Sequence, residues 1–337
     1  MNTQNTVSKP ANKAVKKTSV KPMKKKTNKL PESSPLPAPL AQVVVSSAKA
    51  INKIAMLFSL TVRCFIGNPQ DKTLTAEVTT SHGVGGQKRL SVRKRIMQGD
   101  ELNAVISAAQ KLRLTHAAVS RPWFDGGTRA IPASAFIQIK QDMNALVSSY
   151  MSAVEKFINN YDLILARDKQ ELNGTFDIAD YPSREELEGK FAVSIEFMPI
   201  PTAKDFRVDG LSDETLAQLQ SDMEKGIAER MKSGDAELLQ RLKDEVAHLL
   251  QRLTVKNKNG QFGFKQNSLD NIKSVAAEVA ALNIGENAKI SSLCDSLSTA
   301  FDLDGDLLRE NDDERETKAK EAKAKLAEIE KAMQGLV

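Results

Sequence analysis

The densest chemistry in the chain is cationic. Lys88-Arg89-Leu90-Ser91-Val92-Arg93-Lys94-Arg95 holds five cations in eight positions, and no carboxylate occurs between Glu77 and Asp100. Such a run can follow a phosphate backbone without reading bases. Side chains alternate along an extended chain, so Arg89, Arg93 and Arg95 share one face and Lys88 and Lys94 take the other. Few aromatics interleave with these cations, so base stacking is not expected here. The same charges would equally protect an exposed sheet edge from aggregation.

A second basic region lies at the N-terminus. Residues 1–31 carry nine lysines, including Lys24, Lys25 and Lys26, and no acid. Without them the chain has 39 basic against 43 acidic residues, so its basic character belongs mainly to this segment. The segment is poor in large apolar residues and leads into a Pro-rich linker from Pro31 to Pro39, a composition that predicts disorder. It reads either as a polyanion-binding arm or as a solubilising tail. The charge inside the remainder is also uneven. Val78–Phe124 has eight basic residues and two acids, whereas Ala300–Glu316 has eight acids and two arginines.

Other chemistries find little support. The loop Gly83-Val84-Gly85-Gly86-Gln87-Lys88 lacks P-loop spacing and precedes a basic extended stretch, not a helix. No G-x-S-x-G elbow accompanies His82 and its glycines. His82, His116 and His248 are far apart, and Asp302-Leu303-Asp304-Gly305-Asp306 departs from a calcium loop at its sixth and twelfth positions, Leu307 and Asp313. Asp177 with Asp180, and Glu185 with Glu186, could form acid–base pairs, but no substrate pocket is marked near them. Cys64 and Cys294 match no metal or redox spacing and suit a reducing compartment. These readings predict a non-enzymatic protein with no cofactor and no metal. The 5% aromatic content argues against a large aromatic-lined cavity. The longest apolar runs fall short of the roughly 18–20 residues of a membrane span, and the N-terminus lacks the apolar core of a secretion signal. The expected setting is the cytoplasm, without membrane contact.

The elements that would position these residues follow from periodicity. A short helix is predicted over Ala41–Lys53, then a strand over Met56–Ile66. Leu74–Thr80 and Arg89–Met97 read as two strands of a ribbon with the glycine loop as its tip. Asp100 can cap a helix running to about Thr115, and Arg121–Gly127 reads as a loop. Phe136, Ile139, Met143, Leu146, Tyr150, Ala153 and Phe157 step by three and four, predicting one helix from Ser134 to about Lys169, roughly 50–55 Å long. Ser183 and Glu186 form a capping box, and Phe191–Phe197 alternates as a strand. A long helix starts near Ser212, with Gly234 as a candidate break. Further helices are predicted over Ser268–Leu282, Ile290–Phe301 and a C-terminal stretch with Ala319, Ala322, Leu326, Ile329 and Met333 at a/d spacing. The expected fold class is α+β and predominantly helical, a small mixed or antiparallel sheet with long coiled-coil-like helices. Its divisions are 1–40 as tail and linker, 41–210 as an α+β core with the basic ribbon, 211–310 as a helical domain and 311–337 as a charged amphipathic helix. The seams suit pairing within one chain or between chains, which makes a homo-oligomer an expectation.

Several short stretches occur in order: Arg121-Pro122-Trp123-Phe124-Asp125-Gly126-Gly127, Asn160-Tyr161-Asp162, Phe176-Asp177-Ile178-Ala179-Asp180-Tyr181-Pro182, Phe197-Met198-Pro199-Ile200-Pro201 and Asp205-Phe206-Arg207-Val208. Over about residues 55–255 the chain resembles an uncharacterised family of phage and bacterial proteins, often encoded near MoxR-type AAA+ ATPases and von Willebrand factor A-like proteins. The resemblance supplies no catalytic motif. It implies a phage protein made in the bacterial host cytoplasm, and a complex with an AAA+ machine. Two functions stand: a self-associating protein that binds nucleic acid or a protein machine through basic surfaces, or an AAA+ ATPase adaptor without nucleic-acid contact.

Overall fold

The computed structural model describes residues 51–85, 89–124, 127–202, 210–256, 262 and 266–336. The lysine-rich tail with Lys24, Lys25 and Lys26, most of the predicted Ala41–Lys53 helix, and Lys88 lie outside the described residues. The fold class is the expected one, predominantly helical with one small antiparallel sheet. No helix among the described residues is long and apolar enough to cross a membrane.

The sheet is built around β1 (Ala55–Arg63). One side of β1 pairs with β3 (Arg129–Pro132), which pairs with β2 (Arg121–Pro122); its other side pairs with β4 (Ala192–Pro199) over eight residues. The order β2-β3-β1-β4 is antiparallel throughout. Alternation along β1 sends Met56, Phe58, Leu60 and Val62 to one face, with Ala55 and Leu57 on the other. The first face is covered by α2 (Asp100–Ala118) and α3 (Phe136–Asn159), which bury Leu102, Val105, Ala109, Leu112, Met143, Tyr150 and Phe157.

Four expectations are corrected. Leu74–Thr80 is not a strand but part of α1 (Lys72–Ser81), capped by Asp71, which accepts from the Leu74 amide at 2.9 Å. Its β-branched threonines fit a helix because their hydroxyls bond back to carbonyls four residues earlier, Thr79 to Thr75 at 2.6 Å and Thr80 to Ala76 at 2.9 Å. Arg89–Met97 is therefore no ribbon strand; it runs back along residues 67–71, with one β-bridge between Gln70 and Arg93. Arg121–Gly127 is no plain loop, because Arg121 and Pro122 form β2 and turn into β3. The single helix Ser134–Lys169 is two helices: α3 stops at Asn159, and α4 (Tyr161–Leu172) begins beyond Asn160. The break lets α4 bury the Asp168 carboxylate, which accepts from the Met97 amide and, at 2.9 Å, from the Tyr181 hydroxyl. At the other helix starts, Ser183 and Glu186 form the expected capping box of α5 (Arg184–Glu188), whereas α2 starts after Gly99 without a side-chain cap from Asp100.

The helical half hangs on α6 (Asp213–Thr254), 42 residues capped by Ser212 and so about 63 Å long at 1.5 Å per residue. Gly234 does not break it. Its C-terminal part buries Leu239, Leu242, Val246, Leu249 and Leu253 against α7 (Asn267–Ala281), α8 (Ala288–Ala300) and α10 (Asp312–Gln334). Ala322, Ile329 and Ala332 of α10 belong to this same core, so the C-terminal seam pairs within its own chain.

A buried junction joins the halves. Ile51, Ala55, Leu57, Trp123, Ala130 and Ile200 pack against Ile227, Met231 and Ile284. Through it runs Arg121, fully buried, paired with Asp235 at 2.9 Å and donating to the Met231 carbonyl at 2.5 Å and the Leu282 carbonyl at 3.5 Å. The other Asp235 oxygen accepts from Asn287 at 2.9 Å. A Cβ at Gly234 would overlap the Arg121 guanidinium, so glycine is required there for close approach.

Two outcomes follow from this packing. Alanine in a helix interior normally gains about 1 kcal/mol over glycine. Gly234→Ala should instead lower stability, because overpacking costs about 1–3 kcal/mol, while Asp235→Ala, which strands a buried guanidinium, should cost about 3–5 kcal/mol; urea unfolding measures both, and a stabilised Gly234→Ala would show that Arg121 lies elsewhere. His116, buried with its ring nitrogen 3.2 Å from the Phe58 carbonyl, is held below its ordinary 6.5 by burial, with the Arg129 charge acting the same way. The unfolded chain then binds a proton that the folded chain refuses, so stability present above pH 6.5 declines as the pH falls below it. His116→Gln should flatten that acid limb of the melting temperature; an unchanged limb would assign it to other groups.

Candidate nucleic-acid interface

The backbone of residues 89–97 is fixed by what it runs beside. The Asp71 amide donates to the Val92 carbonyl at 3.0 Å, Lys94 to Pro69 at 3.0 Å and Ile96 to Gly67 at 2.8 Å. The Val92 amide donates to the Thr75 hydroxyl at 3.0 Å. Ile96 and Met97 then enter the core fully buried. An extended segment anchored in this way has to alternate. Arg89, Arg93 and Arg95 are exposed; Leu90, Val92 and Lys94 turn inward.

Lys94 separates from the other candidates on this geometry. Its ammonium lies 2.6 Å from Asp180 and 3.1 Å from Asp71, with only 8% of the side chain exposed. Burial pulls its pKa down, but the hydrogen bonds to Asp180 and Asp71 outweigh that and leave it above its ordinary value. The Leu74 amide first, and Lys94 second, hold the Asp71 carboxyl below the usual carboxylate range. Lys94 is thus a pin between the cap of α1 and the turn before Tyr181, and its charge is spent inside the fold. Sequence distance hides this arrangement, since Asp180 is 86 positions away.

The arginines are differently placed. Among the described residues, no carboxylate lies within ion-pair distance of Arg89, Arg93 or Arg95. Arg93 donates to the Asn68 carbonyl at 3.2 Å, which steadies it without neutralising it. Below it opens a cleft of about 480 Å³ that also takes in Asn68, Lys190, Asp180 and Glu186. Both acids are already engaged, Asp180 by Lys94 and Glu186 by the Ser183 amide in the capping box. The Ser183 amide steadies Glu186 without neutralising it, so Arg93 and Lys190 share the cleft with carboxylates and its charge is mixed.

Other candidate groups do not converge. His82 caps the exposed end of α1, and His248 accepts from Arg252 at 3.2 Å on the surface of α6. Asp304 caps α9 (Gly305–Glu310), Asp302 pairs with Lys273 at 3.0 Å and Asp306 with Arg309 at 2.5 Å, so these carboxylates face three separate partners. No His, Cys, Asp and Glu group suited to a metal occurs among the described residues. Asp177 is occupied by the Ala179 amide at 2.9 Å. Burial pushes both thiols up, that of Cys294 to about 11.

The division of labour is testable by melting. Lys94→Met should lower the melting temperature by several degrees, because it leaves Asp71 and Asp180 facing each other without their shared cation. Arg89→Gln, Arg93→Gln and Arg95→Gln together should leave it nearly unchanged. Equal effects of the two changes would remove the distinction between pin and surface.

In comparison with known proteins, no family model, no curated protein and no solved structure matches the chain.

Proposed function

We propose that this is a non-enzymatic phage protein that binds nucleic acid, gripping phosphates through Arg89, Arg93 and Arg95 without regard to base sequence. One observation carries the reading: three exposed arginines, none with a carboxylate in ion-pair distance among the described residues, lie on one side of an extended segment whose inward lysine pairs with two carboxylates. The nine lysines of residues 1–31 add sequence-independent attraction. The same reading sets the protein in the cytoplasm of a bacterial host.

Fluorescence anisotropy with labelled DNA and RNA of unrelated sequence tests it. Replacing the three arginines with glutamine should weaken every oligonucleotide alike and reduce the slope of log affinity against log salt by up to about three. Removal of residues 1–31 should reduce that slope further. Should the triple variant bind as tightly as the wild type with the same slope, the arginines are only a solvated surface. Pull-down with an AAA+ ATPase, resistant to nuclease, would then favour the adaptor reading that the resemblance suggests.

A further inference from the structure

The arginine row has a gap in its charge. Arg89 and Arg93 share the outward face of the extended segment but stand four residues apart, about 13 Å along the chain. The position between them on that face is Ser91, exposed like the arginines on either side. Its placement is set by what surrounds it. The Val92 carbonyl accepts from the Asp71 amide at 3.0 Å, the Val92 amide donates to the Thr75 hydroxyl at 3.0 Å, and the Lys94 amide donates to the Pro69 carbonyl at 3.0 Å. These bonds keep the chain extended, and the ion pairs of Lys94 with Asp71 and Asp180 fix which face is inward. Alternation then leaves Ser91 outward.

The hydroxyl itself is free to act. Residues of the adjoining α1 spend theirs on carbonyls of their own helix, Thr79 on Thr75 at 2.6 Å, Thr80 on Ala76 at 2.9 Å and Ser81 on Val78 at 3.1 Å. An extended segment has no carbonyl one turn back to offer. Among the described residues the Ser91 hydroxyl has no hydrogen-bond partner. A hydroxyl carries one donor proton, phosphate oxygens accept, and serine is among the side chains that contact phosphates without reading bases.

We propose that the Ser91 hydroxyl is a further ligand of the phosphate backbone, donating to a phosphate oxygen between those gripped by Arg89 and Arg93. The inference rests on the nucleic-acid reading and adds to it a contact without charge. That difference has a signature. Cations release counterions and so set the salt dependence of binding, whereas a neutral donor adds affinity and leaves the salt dependence alone.

Fluorescence anisotropy of the full chain over a salt series, with labelled DNA and RNA of unrelated sequence, separates the two kinds of contact. Ser91→Ala should weaken every oligonucleotide by about three- to tenfold, the worth of one hydrogen bond, with the slope of log affinity against log salt unchanged. Ser91→Thr keeps the hydroxyl and suits an extended chain, so it should bind like the wild type. Both variants should melt with the wild type, because the side chain is exposed. Wild-type affinity in Ser91→Ala, beside a reduced slope in the triple arginine variant, would overturn this inference and leave the arginine reading standing. A loss confined to RNA would overturn it too, assigning the hydroxyl to the ribose 2′-OH. Wild-type affinity and slope in the triple arginine variant would overturn that reading, and this inference with it.

Discussion

A guanidinium fully withdrawn from water is the constraint on which the arrangement of the two halves depends. Burial of a lone charge is prohibitive, and a buried pair depends on hydrogen bonds to its remaining groups as well. Arg121 draws these from two parts of the chain, Asp235 and the Met231 carbonyl from α6 and the Leu282 carbonyl at the end of α7, while its buried Nε has no hydrogen-bond partner among the described residues. Asn287 holds the second Asp235 oxygen. Gly234 gives the guanidinium its room. Because β2 cannot slide along α6 without leaving this charge unpaired, the sheet edge is indexed to one turn of a 42-residue helix.

The indexing spreads through a second, more open set of ions. Arg129 donates to Glu237 at 2.9 Å and Arg241 to the same oxygen at 2.7 Å, and Arg241 also reaches the carbonyls of Ala117, Ala118 and Ser120. Those carbonyls lie at the C-terminal end of α2, where a cation is favoured by the helix dipole. At the other end of α2, Arg167 packs on Gly99 and donates to the Gln98 carbonyl. One helix is therefore held at both ends by arginines from elsewhere in the chain. The basic segment 89–97 leads through Gln98 and Gly99 into its start.

How much of this could be read in advance depended on whether the cause was local. Repeats of three and four residues located α2, α3, the core half of α6 and α10, and capping chemistry located Ser183, because those signals lie within one or two turns. The alternation of Arg89, Arg93 and Arg95 against Lys94 was also legible. What lay beyond reach were partners distant in sequence. Thr75 looks like a strand residue until its hydroxyl accepts from the Val92 amide, 17 positions away. Asn160 interrupts a flawless apolar stripe because Asp168 must meet Met97 and Tyr181. The role of Arg121 was invisible, since nothing near β2 announces a carboxylate 114 positions away.

The choice of cation at each position in residues 89–95 follows from the same division between inside and outside. Lys94 needs a compact charge on a flexible stem, able to sit between carboxylates that arrive from two different turns, and an ammonium with three donors does this. A planar guanidinium suits the outward positions, where a fork of donors matches phosphate oxygens. Alternate residues of an extended chain are about 6.6–6.8 Å apart, so Arg93 and Arg95 are separated by one such interval and Arg89 stands two intervals further along. Because the pin at Lys94 and the pairing with residues 67–71 keep the segment extended, that spacing is set before any ligand arrives. A row of charges organised in advance loses less conformational entropy on binding, and the proposed phosphate grip would draw on that.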